Sequence, residues 1–274
     1  MQQNMKIGNR VFDLTHHTYI MAILNMTPDS FSDGGSYATL DDALYRVEQM
    51  LAEGADVIDV GGESTRPGHA VIGDEEEIQR VTPVIEAITK RFDVPVSIDT
   101  YKSAVAKAAL QSGAHMVNDI WGLQHDPAMA GVIAQAGAAC CLMHNQQGTR
   151  YDNLLLECLE TLRQSAKKAE QAGVPREHIM LDPGIGFGKT CAQNLALMGQ
   201  LEQFHLLGYP MLLGTSRKSM IGLTLDLPAD QRVEGTLVTT VLAVQAGWNF
   251  VRVHDIKENY RTIKMAEAIR DSKL

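Results

Sequence analysis

Eight short apolar runs, rich in Ile, Val, Leu and Met, each stop abruptly at a polar residue or a glycine. Residues 20–24 run into Asn25, 57–60 into Gly61, 96–98 into Asp99 and 115–117 into Asn118. Residues 138–143 run into His144, 179–181 into Asp182, 211–213 into Gly214 and 250–253 into His254. Solid runs, without alternation, suit parallel strands covered on both faces. The intervening pattern predicts helices over 40–52, 74–91, 102–112, 127–135, 153–172, 193–204, 230–246 and 256–270. Gly54, Gly113, Gly137, Gly173 and Gly247 follow the last periodic residue of their stretch, as helix-ending glycines do. Eight strand–helix units in line predict an α/β fold, a (β/α)8 TIM barrel, in preference to an open doubly wound sheet. Residues 5–12, with Gly8-Asn9 at the turn, read as an N-terminal β-hairpin able to plug the bottom of that barrel. The eight polar strand ends would then share one mouth, where barrel enzymes do their chemistry.

Composition narrows the class. The 274 residues are unbroken by any linker or low-complexity tract and read as one domain, 1–274. A hydrophobic fraction of 45% supports a core, and a net charge of −9 disfavours non-specific nucleic-acid binding. No run approaches the roughly 18 apolar residues of a membrane span, and residues 1–10 carry no apolar signal core. The cysteines 140, 141, 158 and 191 have no C-x-x-C spacing and read as reduced thiols of a cytoplasmic protein. Cys140 and Cys141, adjacent on one strand, point to opposite faces.

The loops after the first two strands are long, which usually marks function. The first holds Pro28, Phe31 and Asp33; the second, Gly61 to Gly68, sets Thr65, Arg66 and Pro67 among glycines. Glycines let backbone N–H groups approach an anion and arginine forks onto phosphate oxygens, so this loop suits an oxyanion cradle. Asp99, Asn118 and Asp182 converge as acceptors for a flat heterocycle rich in N–H donors, although Asp99 is also placed to cap the next helix. Asp182 opens D-P-G-I-G-F-G-K-T, which mimics a phosphate loop but has Pro183 where that pattern needs Gly. Gly188 and Lys189 then serve a flexible loop beside Asp182, with Phe187 as a stacking face. Ser216-Arg217-Lys218 opens a helix after the seventh strand, and Arg252 and His254 share one face of the eighth. Phosphate sites in barrels recur at those two strand ends. His16, His17, His69, His125, His178 and His205 have no usable ligand spacing, and no H-E-x-x-H motif points to zinc.

The stretches 24–35, 56–68, 94–100, 113–122, 181–190, 214–222 and 251–256 together closely resemble the dihydropteroate synthases. That resemblance implies condensation of a dihydropterin methyl diphosphate with p-aminobenzoate, Mg²⁺, a homodimer and sensitivity to sulfonamides. It implies a pterin pocket of Asp99, Asn118, Asp182, Gly214 and Lys218 with Ile120 and Met143 as apolar walls. It further implies a diphosphate site of Asn25, Thr65, Arg66, Arg252 and His254, with Asn25 as the Mg²⁺ contact. Pro28, Phe31, Pro67, Phe187 and Ser216 resemble the surroundings of the p-aminobenzoate ring. Asp33, Arg66, Lys218, Arg252 and His254 are the implied catalytic groups, Asp33 as a stabiliser of a pterin cation. No nucleophile–base pair is evident, as suits a reaction driven by charge neutralisation of a leaving group. His144 belongs at the mouth but has no assigned part. The run Met143-His144-Asn145-Gln146-Gln147-Gly148 lacks the second Met that many relatives carry after the His, and Gln193 stands where relatives often have His.

Two other classes compete. A methyltransferase on a related pterin-binding barrel would have no use for Thr65, Arg66, Arg252 and His254. A non-catalytic pterin-binding paralogue would be expected to have lost Asn25, Asp33, Arg66 and Lys218, all of which are present.

Overall fold

A computed structural model describes residues 2–26, 40–63 and 71–272. Strands β1 (Asn4–Ile7) and β2 (Arg10–Asp13) pair antiparallel around Gly8, whose φ is +59°. The barrel follows in chain order: β3 (Tyr19–Asn25), α1 (Leu40–Glu53), β4 (Val57–Gly61), α2 (Asp74–Arg91), β5 (Val96–Asp99) and α3 (Ser103–Gln111). It continues with β6 (Met116–Asp119), α4 (Met129–Ala136), β7 (Ala139–Met143), α5 (Leu154–Ala172), β8 (Ile179–Asp182) and α6 (Cys191–Met198). It ends with β9 (Leu212–Leu213), α7 (Ser219–Leu225), α8 (Val233–Gln245), β10 (Phe250–Val253) and α9 (Ile256–Asp271). Eight strands pair in parallel in the order β8-β7-β6-β5-β4-β3-β10-β9. A parallel bridge from Leu181 to Met211 joins the two ends of that order, so the sheet closes.

The five expected helix-ending glycines all lie at positive φ, from +62° at Gly137 to +106° at Gly54. Two expected helices are interrupted. Residues 193–204 divide into α6 and a 3-10 segment, Leu201–Leu207, because Gln200 between them takes φ −133°. Residues 230–246 begin in a short 3-10 turn, Ala229–Gln231, and reach regular α-helix only at Val233.

Period-two alternation divides the strands into two cores. Outward residues such as Ile20, Ile58, Ile98, Cys140 and Leu181 pack beneath the helices. Inward residues Met21, Val57, Met116, Ala139, Cys141, Met180, Leu212 and Phe250 form a separate cluster with Met5, Ile7 and Phe12 of the hairpin. The hairpin therefore plugs the N-terminal end, and Cys140 and Cys141 do face opposite ways. The fit is tight: a Cβ on Gly8 would stand 2.3 Å from the His115 ring. A separate cavity of about 360 Å³, lined in part by Arg10, Asp93 and His115, lies at this closed end, away from the strand C-termini.

Candidate active site

Above the apolar plug the inward positions become charged. Asp59, Asp99, Asn118 and Asp182 are each at most 5% exposed. Arg252, from β10, reaches in among them: its Nε donates to Asp59 Oδ2 at 2.6 Å and its Nη2 to Asp99 Oδ2 at 2.6 Å. Asn118 Nδ2 donates to the same Asp59 oxygen at 3.1 Å. Burial pushes the Asp99 carboxyl up to about 7; Arg252 opposes that rise and the Asp59 charge adds to it. Asp59 Oδ1 and Asp99 Oδ1 are buried without a hydrogen-bond partner, leaving acceptors for a ligand with N–H groups. Asp99 does not cap α3, since Asp126 Oδ2 accepts the Ser103 amide at 2.9 Å in its place. Asp59 is a floor residue that sequence reasoning missed. Its signal was a lone carboxylate inside an apolar strand, two residues before Gly61.

Asp182 and Lys218 form the neighbouring wall. A Cβ on Gly214 would stand 3.5 Å from Asp182 Oδ2 and 3.7 Å from Lys218 Nζ, so the glycine keeps this space open. Asp182 Oδ1 accepts the Gly184 amide at 2.7 Å. Burial raises the Asp182 pKa and lowers that of Lys218 to about 8, each opposed by the other's charge. Lys218 enters the pocket because the chain kinks at Arg217, a non-glycine at φ +56°. That conformation costs about 1 kcal/mol. The Arg217 amide donates to Thr236 Oγ1 at 3.1 Å, and its guanidinium pairs with Asp255, which together hold it. Lys218 Nζ also donates to the Ile185 carbonyl and lies 4.5 Å from the Phe187 ring centroid. Ile120, which follows β6, and Met143, which ends β7, are 9% and 3% exposed.

At the rim, Ser216 Oγ lies 2.9 Å from His254 Nδ1 and accepts the His254 backbone amide at 3.1 Å. This hydroxyl–imidazole contact was not evident in the sequence. The backbone amide draws the hydroxyl against β10 and away from the role of a free nucleophile. Asn25 ends β3 opposite Gly61, where a Cβ would stand 3.5 Å from Asn25 Oδ1. Among the described residues no three His, Cys, Asp or Glu side chains gather as a metal cage. A single amide oxygen suits Mg²⁺ only in its usual substrate-bound mode, with water and phosphate oxygens completing the shell. Pro28, Phe31, Asp33, Thr65, Arg66 and Pro67 lie outside the described residues.

The described ends of the second loop are anchored. Lys102 Nζ donates to Glu63 Oε2 at 2.6 Å, to Glu77 Oε2 at 2.8 Å and to the Ile72 carbonyl at 2.8 Å. Glu63 in turn accepts the Ile72 amide at 3.1 Å and the Tyr101 hydroxyl at 2.8 Å. Residues 63 and 72 are thus tied to each other and to the end of β5.

Comparison with known proteins agrees with this geometry. The family model for pterin binding enzymes matches residues 21–254. The dihydropteroate synthase of Clostridium beijerinckii is 55% identical over 97% of this chain and 99% of its own. A crystal structure of dihydropteroate synthase from Clostridium difficile, in the presence of pteroic acid, superposes with a TM-score of 0.92. It is 49% identical and covers 95% of this chain and 100% of its own. The Yersinia pestis dihydropteroate synthase with a sulfonamide drug gives 0.92 at 41% identity, covering 98% of this chain and 100% of its own. With its charged floor, closed barrel and matches along nearly its whole length, the chain belongs to the dihydropteroate synthase family of pterin-binding enzymes.

Proposed function

We propose that this protein condenses 6-hydroxymethyl-7,8-dihydropterin diphosphate with p-aminobenzoate, releasing diphosphate and forming 7,8-dihydropteroate. The observation that carries the reading is the buried acceptor floor of Asp59, Asp99, Asn118 and Asp182 beside the Lys218 ammonium. Carboxylates accept the N–H edge of a pterin in paired, charge-assisted bonds, while lysine serves a ring acceptor. Diphosphate departs once its charge is neutralised, which assigns Arg66, Arg252 and His254 to that task, with Thr65 and Asn25 as further contacts. Arg252 would then serve both ends, since its Nε and Nη2 are already engaged by the floor carboxylates. Mg²⁺ held at Asn25 would supply charge neutralisation to the diphosphate oxygens. The neutral aniline attacks the methylene carbon against Phe187 and Ser216, with Pro28, Phe31 and Pro67 completing that side and Asp33 stabilising the cation. Sulfonamides, as mimics of p-aminobenzoate, would compete there.

A homodimer through α7–α9 is supported by apolar side chains left exposed on neighbouring helices: Leu223 71%, Val238 60%, Met265 62% and Ile269 59%. Contiguous apolar patches across neighbouring helices often mark contact with a second subunit. Sedimentation of the Val238→Asp variant as a monomer would support it. No helix among the described residues is long and apolar enough to cross a membrane, and the buried free thiols fit the proposed cytoplasmic location. The deciding assay is diphosphate release from the pterin substrate in Mg²⁺ buffer, with and without p-aminobenzoate. Release dependent on p-aminobenzoate is expected; none at saturating substrates overturns the proposal.

A further inference from the structure

The loop from Asp182 to Thr190 closes around an inward-turned lysine. Gly184, Gly186 and Gly188 all take positive φ, at +68°, +88° and +56°. Two of them press on the loop after β7: a Cβ at Gly184 would stand 1.9 Å from the His144 carbonyl oxygen, and one at Gly188 2.7 Å from that of Gln146. At the centre lies Lys189, 8% exposed. Its Nζ meets the Gly184 carbonyl at 3.0 Å, the Phe187 carbonyl at 3.1 Å and His144 Nδ1 at 2.8 Å. An ammonium has three protons and no acceptor, so all three donors are used. His144 can accept only through an unprotonated Nδ1, which leaves its remaining proton on Nε2.

The surroundings complete the frame. Asn194 Oδ1 accepts the Gly186 amide at 2.8 Å, and the Tyr151 hydroxyl donates to the Gly188 carbonyl at 2.8 Å. From the pocket side Lys218 holds the Ile185 carbonyl. Phe187 is therefore fixed through its own backbone, with its ring beside Lys218. The lysine that mimics a phosphate-loop residue in sequence is spent on two carbonyls and an imidazole.

We propose that Lys189, paired with neutral His144, is a positioning residue that fixes Phe187 and thereby sets the affinity for the aromatic amine acceptor, with little influence on the pterin floor. The inference rests on the reading of Phe187 as part of the p-aminobenzoate subsite. Burial, reinforced by the Lys189 charge, holds His144 well below its ordinary pKa, in keeping with the neutral partner. Burial also lowers Lys189, opposed by Cys158 and Asp182, and Tyr151 is the other titratable group against the pair.

The test is steady-state kinetics of Lys189→Met, which keeps the stem and removes the donors, with His144→Leu and His144→Asn. Lys189→Met and His144→Leu are expected to raise KM for p-aminobenzoate roughly tenfold, as loss of preorganisation does, and to leave KM for the pterin diphosphate within about twofold. His144→Asn, which keeps an acceptor near the Nδ1 position, is expected to restore most of the affinity. Equal rises in both KM values, or no change in either, overturn the inference. ¹⁵N NMR of the wild-type protein is a second readout that needs neither turnover nor a stable variant. An Nε2–H tautomer that persists between about pH 5 and pH 8 supports the pairing, and a protonated Nδ1 or a midpoint in that range refutes it. Absent diphosphate release by the wild type would count against the condensation, whereas an active wild type with unaltered variants would count against this role alone.

Discussion

Arg252 Nε stands 2.6 Å from Asp59 Oδ2, a contact between residues 193 positions apart in the chain. The two come from strands separated by β3, and both are inward-facing. Removing one partner of a buried pair leaves an uncompensated charge, which costs about 3–5 kcal/mol. Asp59→Leu leaves Arg252 with Asp99 as its remaining carboxylate, so the loss in urea unfolding is expected at the lower end of that range, about 3 kcal/mol. The double variant Asp59→Leu/Arg252→Met should recover part of it, because Asp99 without its cation takes up a proton. A single variant within about 1 kcal/mol of wild type would contradict the pairing's weight.

Asp182→Asn keeps the shape of the floor and removes its charge. Two charge-assisted bonds to the pterin edge become at best one good acceptor beside a misplaced donor. Pterin affinity should fall about a hundredfold, or roughly 3 kcal/mol, in calorimetry, with little change in melting temperature. Tight pterin binding by this variant would remove Asp182 from the pocket.

Gly214 offers a graded test of space. A Cβ there meets Asp182 Oδ2 at 3.5 Å and Lys218 Nζ at 3.7 Å, ordinary van der Waals contacts, so Gly214→Ala should fold normally. Gly214→Val adds two methyl groups between the carboxylate and the ammonium. Pterin affinity should decline in the order Gly, Ala, Val while the Tm of the first two stays similar. Equal affinity for all three would mean that the ligand rests elsewhere.

His144 links acid stability to the same loop. Its pKa falls from an ordinary 6.5 to about 3, first through burial and then through Lys189. Between those values the unfolded chain binds one more proton at this site than the folded chain, so stability declines as pH drops. The slope has an upper limit of about 1.4 kcal/mol per pH unit. His144→Asn should flatten the wild-type curve between pH 6.5 and about pH 5, where most carboxylates remain charged. Parallel curves for the two proteins would show that His144 is protonated in the folded state.

The fold was legible because strands buried on both faces write themselves as uninterrupted apolar runs, and because each run halts where the chain enters the mouth. Asn25, Asp99, Asn118 and Asp182 were readable for that reason. Asp59 was hidden by its position one pleat below the rim, within a run, where only parity separates a floor carboxylate from a core residue. The partners of Arg252 come from distant strands, and no local pattern carries such a pairing. Lys189 read as part of a flexible loop since its neighbours are glycines. In the folded chain those glycines supply the positive φ angles that let carbonyls turn toward its ammonium. His144 lacked a role until Lys189 was seen to reach it from the next strand's loop.

The hairpin that seats Met5, Ile7 and Phe12 against Met21, Met116 and Phe250 shuts the N-terminal end of the barrel among the described residues. A molecule resting on the carboxylate floor lies deeper than one leaning on Phe187, and both must pass the same opening. On the proposed subsites, such a blind-ended vessel would fill from the bottom up, with the pterin seated before the amine.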